Sequence, residues 1–212
     1  MNGLLGFLIV LVVILFSMTL HELIHGFIAY KLGDETAKEE GRLSLNPLKH
    51  LDLVYSIILP LCLFLIGAPI FGGAKPVPVN SARLKGREWG MAAVALAGPL
   101  TNIVLALVAF LVRFLVLKNG LDNNIVDMFL SYMVSINLGF AVFNMIPIPP
   151  LDGSRLLYAI APDGAREIMK KMEVYGVWII YGLVFIFGGA FSNIISMGIN
   201  GIYSVFLWIV GL

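Results

Sequence analysis

The chain has 212 residues, 59% of them hydrophobic and 13% charged, with a mean hydropathy of +0.95. A soluble domain carries about 25% charged residues, so this density excludes a water-soluble enzyme, a disordered chain and a nucleic-acid-binding surface. An integral membrane protein facing lipid remains. The net charge of +1 indicates no partner, and the lone cysteine, Cys62, excludes an intrachain disulfide and a cysteine-cluster metal site.

A crossing helix needs about 20 mostly apolar residues. Runs of that kind cover 4–20 with a helical continuation, then 53–70, 91–117, 125–146, 174–187 and 194–212. The first run has no basic leader and no small-residue cleavage site, so it reads as a retained helix. Polar or Pro/Gly-rich stretches at 31–52, 71–90 and 147–173 separate the runs, and none is long enough for a soluble domain. The chain therefore reads as one membrane domain over 1–212, with a core of about 4–160 and C-terminal helices of about 166–212. Neither a repeat nor a low-complexity tract interrupts it.

Orientation follows from the Lys and Arg positions, which favour the cytoplasmic side. If all six runs cross, Lys31, Lys38, Arg42, Lys49, Arg113 and Lys118 face the other eight basic residues, and no bias exists. Pro60 lies within the second run, and Gly67, Pro69, Gly72 and Gly73 punctuate its end. A re-entrant path for 53–70 is compatible with such breakers when it is buried in protein. Only Arg113 and Lys118 then fall on the minor side, with twelve basic residues opposite. This predicts an N-terminus outside and the three polar loops in the cytoplasm.

Within the first run stands His21-Glu22-Leu23-Ile24-His25. Histidines four apart share one helix face and can hold one zinc ion, with Glu22 beside them to take a proton from water. Zinc lowers the pKa of bound water toward about 7. The histidine pair lies about 26 Å along the helix from Leu4. A carboxylate at that depth costs roughly 2.5–3.5 kcal/mol or more, which marks it as functional. A catalytic zinc needs a third protein ligand. His50 is one candidate, although its polar flanks also fit an interfacial or structural role. Asp152 is the better one. It follows Asn144-Met-Ile-Pro-Ile-Pro-Pro-Leu, whose prolines stop a helix and predict an extended, rigid segment that can aim a carboxylate. Asp152 serves equally well as N-cap of a helix over 153–160.

HELIH, then Ala97-Gly98-Pro99-Leu100-Thr101-Asn102, then NMIPIPPLDG over 144–153, occur in that order inside hydrophobic runs. Together they resemble the site-2 protease family of intramembrane zinc metalloproteases, over roughly residues 15–160. The resemblance implies one Zn²⁺ per chain on His21, His25 and Asp152, with Glu22 as general base and acid. Asn144 is implied to polarise the scissile carbonyl or steady the oxyanion. Asn102 is read as packing and polar support, or, with Gly98, as a mark of close helix approach. Residues 71–80 resemble the family's membrane-associated β element, which pairs with an unwound substrate, and Pro76 and Pro78 would block one edge of it. Residues 41–52 resemble the compact prokaryotic branch, without a PDZ or CBS domain. The expected fold is an all-α polytopic membrane protein with about five to six membrane segments, one re-entrant, and that small β element. Its expected partners are the lipid bilayer and transmembrane protein substrates, such as membrane-tethered regulators or signal-peptide remnants, in a prokaryotic cell membrane. A non-catalytic adaptor or chaperone that retains the fold is the alternative, and intact Glu22 argues against it. A metal transporter would need a polar path through both leaflets, for which the later runs offer only Ser131, Ser135 and Asn137 and, near the end, Ser192, Asn193, Ser196 and Asn200, a group that helix packing or an interfacial helix explains as easily.

Overall fold

The computed structural model describes residues 3–58, 62, 74–121 and 123–211. Among them the α-helices are α1 (Gly3–Lys31), α2 (Thr36–Glu39), α3 (Glu88–Lys118), α4 (Asn124–Asn144), α5 (Gly153–Ile160), α6 (Asp163–Val174) and α7 (Gly176–Ile209), and no strand is present. The chain is an all-α membrane protein, with four described helices long and apolar enough to cross: Leu4–Lys31, Glu88–Lys118, Asn124–Asn144 and Trp178–Ile209.

One expectation is met with a difference and one changes here. The runs at 174–187 and 194–212 are two helical pieces of α7 (34 residues in all), joined without a loop at a kink where Phe187 has non-helical angles (φ −116°, ψ 24°). Gly188-Gly189-Ala-Phe-Ser-Asn separates them, and glycine costs a helix only about 1 kcal/mol. Without a charge or proline the helix bends instead of ending. At about 51 Å it exceeds the roughly 30 Å hydrocarbon core. Exposed Trp178 and Trp208 stand near its two ends, as interfacial anchors do. Of the expected re-entrant run 53–70 and residues 71–73, only a π-helical turn over Leu53–Ile58 and Cys62 are described, and the rest, with the re-entrant path itself, lies outside the described residues. Residues 74–80, the rest of the expected β element, are irregular.

The bundle core joins α1, α3, α4 and α7 around Val13, Ala106, Phe110, Met133, Leu138 and Phe206. On α1 the buried positions Val13, Ser17, His21, His25 and Ala29 recur every fourth residue, one ridge facing inward. The facing stripe of α3 consists of Ala95, Gly98, Asn102, Ala106 and Ala109, small side chains that let the helices approach closely. Proline 99 leaves α3 unbroken. Asn123 starts α4 by accepting hydrogen bonds from the Ile125 and Val126 amides.

The segments on either side of 53–73 interlock at the end where α1 finishes and α3 begins. The Lys85 amide donates to the Leu32 carbonyl at 2.9 Å, and the Lys75 amide to the His50 carbonyl at 2.8 Å. Asp34, fully buried, accepts from the Asn80 amide at 2.6 Å. The Arg42 guanidinium donates to the carbonyls of Lys75 (2.8 Å) and Pro76 (3.3 Å).

Candidate metal centre

His21 and His25 lie one turn apart on the buried ridge of α1, and Asp152 approaches from the start of α5. The segment before Asp152 is folded into successive turns, not extended: Ile148 donates to the Ile146 carbonyl at 2.8 Å and Leu151 to that of Ile148 at 2.9 Å. Proline restricts single residues, but it does not prevent neighbouring turns from hydrogen-bonding. Gly153 permits the compact return, because a Cβ there would fall 2.5 Å from the Met145 carbonyl carbon. Asp152 occupies the N-cap position of α5 but makes no capping hydrogen bond. Its carboxylate turns to the histidines instead, with Oδ2 3.2 Å from His21 Nε2 and 3.4 Å from His25 Nε2.

The hydrogen bonds behind the rings decide what these atoms can hold. His21 Nδ1 is 2.6 Å from Asn102 Oδ1, and His25 Nδ1 is 2.8 Å from the Val94 carbonyl. Both partners only accept, so each neutral ring carries its proton on Nδ1 and presents a bare Nε2. Those two Nε2 atoms are 3.0 Å apart, and buried Asp152 Oδ2 has no hydrogen-bond donor of its own. Three acceptors converging on one point call for a cation. Zinc ligands at about 2.0–2.1 Å in a tetrahedron stand about 3.3 Å apart, which is the size of this triangle. The fourth corner is left for water or substrate. Among the described residues, His21, His25 and Asp152 are the group of donors able to hold a metal ion together.

Glycine 98 and Asn102 frame the same site from α3. A Cβ on Gly98 would lie 2.6 Å from Cε1 of each imidazole and closer still to His25 Nε2. Gly98 thus allows close approach, and Asn102 gives His21 a polar partner. Glu22, half-buried on the same turn as His21, accepts the Val77 amide at 2.9 Å through Oε2. The 74–80 segment thus rests on the carboxylate expected to move protons.

A model of peptidase family M50 matches residues 115–189, which include Asn144 and Asp152 but not the α1 motif. The chain is also similar to the protein named "Putative zinc metalloprotease YwhC" of Bacillus subtilis, at 38% identity over 180 residues, covering 82% of this chain and 78% of that one. The chain belongs to peptidase family M50. Two more relatives carry the same description: Rip2 of Mycolicibacterium smegmatis (33% over 185 residues; 84% and 67% covered) and MJ0611 of Methanocaldococcus jannaschii (34% over 155 residues; 73% and 72% covered). No solved structure matches. As an M50 peptidase, the chain is a zinc metalloprotease, and its donor set suits that ion.

The remaining sequence candidates divide. Asn144, the last residue of α4, donates its amide to the Phe140 carbonyl of its own helix at 3.0 Å. His50 is wholly buried, and its Nε2 donates to the Ser44 carbonyl at 2.8 Å. It braces the loops and stands outside the group formed by His21, His25 and Asp152. Sequence reasoning passed over Val77, Val94 and Ser17, and weighed Asn137 only as a residue of a transport path. The first two contribute backbone groups, which no residue type announces. The pairing of Asn137 could have been expected, because a buried intramembrane amide needs a partner.

Proposed function

We propose that this peptidase hydrolyses peptide bonds within or near the transmembrane helices of substrate proteins. The observation that carries this reading is the triangle of His21, His25 and Asp152 donor atoms, 3.0–3.4 Å apart, inside an apolar helix bundle. Zinc held there supplies Lewis acidity toward a carbonyl and a lowered water pKa. Glu22 takes the proton from water and delivers it to the leaving amine, and Val77 keeps one carboxylate oxygen oriented meanwhile. Asn144 orients the scissile carbonyl, for which its amide leaves the Phe140 carbonyl.

A peptide bond within a helix is shielded by its own hydrogen bonds, so the substrate must unwind locally, and its freed groups need partners. Residues 74–80, irregular and resting on Glu22, are the candidate for that partner. Pro76 and Pro78 cannot donate, Arg42 occupies the Lys75 and Pro76 carbonyls, and His50, Glu22 and Asp34 occupy the Lys75, Val77 and Asn80 amides, so pairing with a substrate requires some of these contacts to open. The flanks of the run 53–70 hydrogen-bond to each other, which supports placing both flanks on the same side of the membrane. The site then faces the cytoplasm of a prokaryotic cell, with the N-terminus outside and twelve of the 14 basic residues on the inner side.

The test is cleavage of a transmembrane reporter by wild type and Glu22→Gln in lipid, with the cut mapped by mass spectrometry and zinc measured in both. Wild type is expected to cut within or beside the apolar segment, while Glu22→Gln keeps one zinc and loses about 10²–10⁴-fold in rate. Equal rates, or cuts confined to water-exposed tails, would refute the reading.

A further inference from the structure

Behind His21 runs a polar chain that makes no contact with the three metal-facing atoms. Ser17, Asn102 and Asn137 are buried on α1, α3 and α4. Asn137 Nδ2 lies 2.8 Å from the Met133 carbonyl and 2.9 Å from Ser17 Oγ; Asn137 Oδ1 lies 2.8 Å from Asn102 Nδ2; Asn102 Oδ1 lies 2.6 Å from His21 Nδ1. The chain leaves α1 at Ser17, crosses α4 and α3, and returns to α1 one turn further on.

Its direction is set at one end. An amide can turn over and exchange its oxygen for its nitrogen, so the order of donors and acceptors needs an anchor that cannot reverse. The Met133 carbonyl is that anchor, because it only accepts. It holds the NH₂ of Asn137 on its side and turns the Asn137 oxygen toward Asn102. Asn102 must answer with its own NH₂, and its oxygen is left facing His21. Reversing any member places two oxygens, or two NH₂ groups, against each other in an interior without water to relieve them.

We propose that Asn137 is a positioning residue for the metal centre: anchored on Met133 and acting through Asn102, it keeps the His21 proton on Nδ1 and Nε2 open to the metal. This rests on His21 being a zinc ligand. With the anchor removed, Asn102 is free to turn, its NH₂ can meet Nδ1, and the proton moves to Nε2, the atom needed for coordination.

The chain has three histidines, few enough for ¹⁵N-histidine NMR of the full metal-free protein in bilayers. Wild type is expected to show His21 in the Nδ1–H form alone. Asn137→Leu is expected to admit the Nε2–H form and to weaken zinc binding about 10–100-fold in chelator competition. Weaker zinc binding with His21 still wholly Nδ1–H would reduce Asn137 to packing and overturn the proposal. So would a metal-free wild type with His21 protonated on Nε2, a result that does not depend on the variant folding. A wild type that binds no zinc would instead remove the proposed function and leave the NMR result standing.

Discussion

Two groups of buried polar contacts surround this site, one inside the bundle and one in the loops above it, and they are made differently. Inside, side chains meet side chains across three helices: Ser17, Asn137, Asn102 and His21. Above, side chains meet backbone: Asp34 takes the Asn80 and Thr36 amides, Arg42 serves the Lys75 and Pro76 carbonyls, and Glu22 takes the Val77 amide. A helix spends its backbone groups on itself, so ties between helices must come from side chains. Irregular loops leave backbone groups over, and a few charged side chains collect them. Water can replace the loop contacts at a membrane surface, but not those in the apolar interior. Damage inside should therefore cost more than damage above.

The largest effect is expected at the metal triangle. Asp152→Ala should bring zinc content well below one per chain and abolish cleavage, as read by elemental analysis beside the reporter assay. Full zinc occupancy in that variant would break the assignment of the third ligand. Gly98→Ala comes next. The added methyl enters the space of both imidazoles, with an expected overpacking cost of about 1–3 kcal/mol. A drop of at least about 10-fold in zinc affinity should accompany it. Unchanged affinity would mean that α3 can withdraw, and that the interior is softer than the contrast holds.

Loop variants should be milder. Burial pushes the Asp34 carboxyl up, but hydrogen bonds from the Thr36 hydroxyl and the Asn80 and Thr36 amides, with Arg83 nearby, outweigh it and hold Asp34 below the usual carboxylate range. The fold therefore favours the ionised form. This stabilisation is complete above the unfolded pKa of about 3.9 and drains away as pH falls through the lower folded value. Asp34→Asn should remove about 1.5–3 kcal/mol at neutral pH, the range for bonds to a charged group, and flatten the acid limb. Hydrogen exchange at the Asn80 amide between about pH 3 and 6 measures both. An unaltered profile would show that the loop does not depend on this carboxylate. Smallest of all is Glu39→Gln, which cuts an exposed 3.0 Å pair with Arg83 and should leave the melting temperature and cleavage unchanged.

The extent of what could be read from the sequence follows the same division. HELIH was legible because a four-residue spacing becomes a shared helix face without reference to anything distant. The α3 glycine and the Asp152 carboxylate were legible as motifs with two uses each, and only their neighbours chose between them. The Val77 amide and Val94 carbonyl were not legible, since every residue has such groups. The division of 174–212 into two runs was legible as a fall in hydropathy, and the helical geometry does break at Phe187, but with glycines and no charge or proline the break is a kink and not a loop.

Amino-acid order by itself determined that this chain lies in a membrane, that His21, Glu22 and His25 share a helix, and which family it resembles. These follow from composition and from contacts a few residues apart. Tertiary structure alone decided that Asp152 turns to the histidines and does not cap α5, that His50 braces a loop, and that Asn102 holds His21. Asp152 and Asn102 meet polar groups 81 to 131 residues away along the chain, where helix packing brings them, and His50 meets a carbonyl six residues away that only the fold of its loop presents.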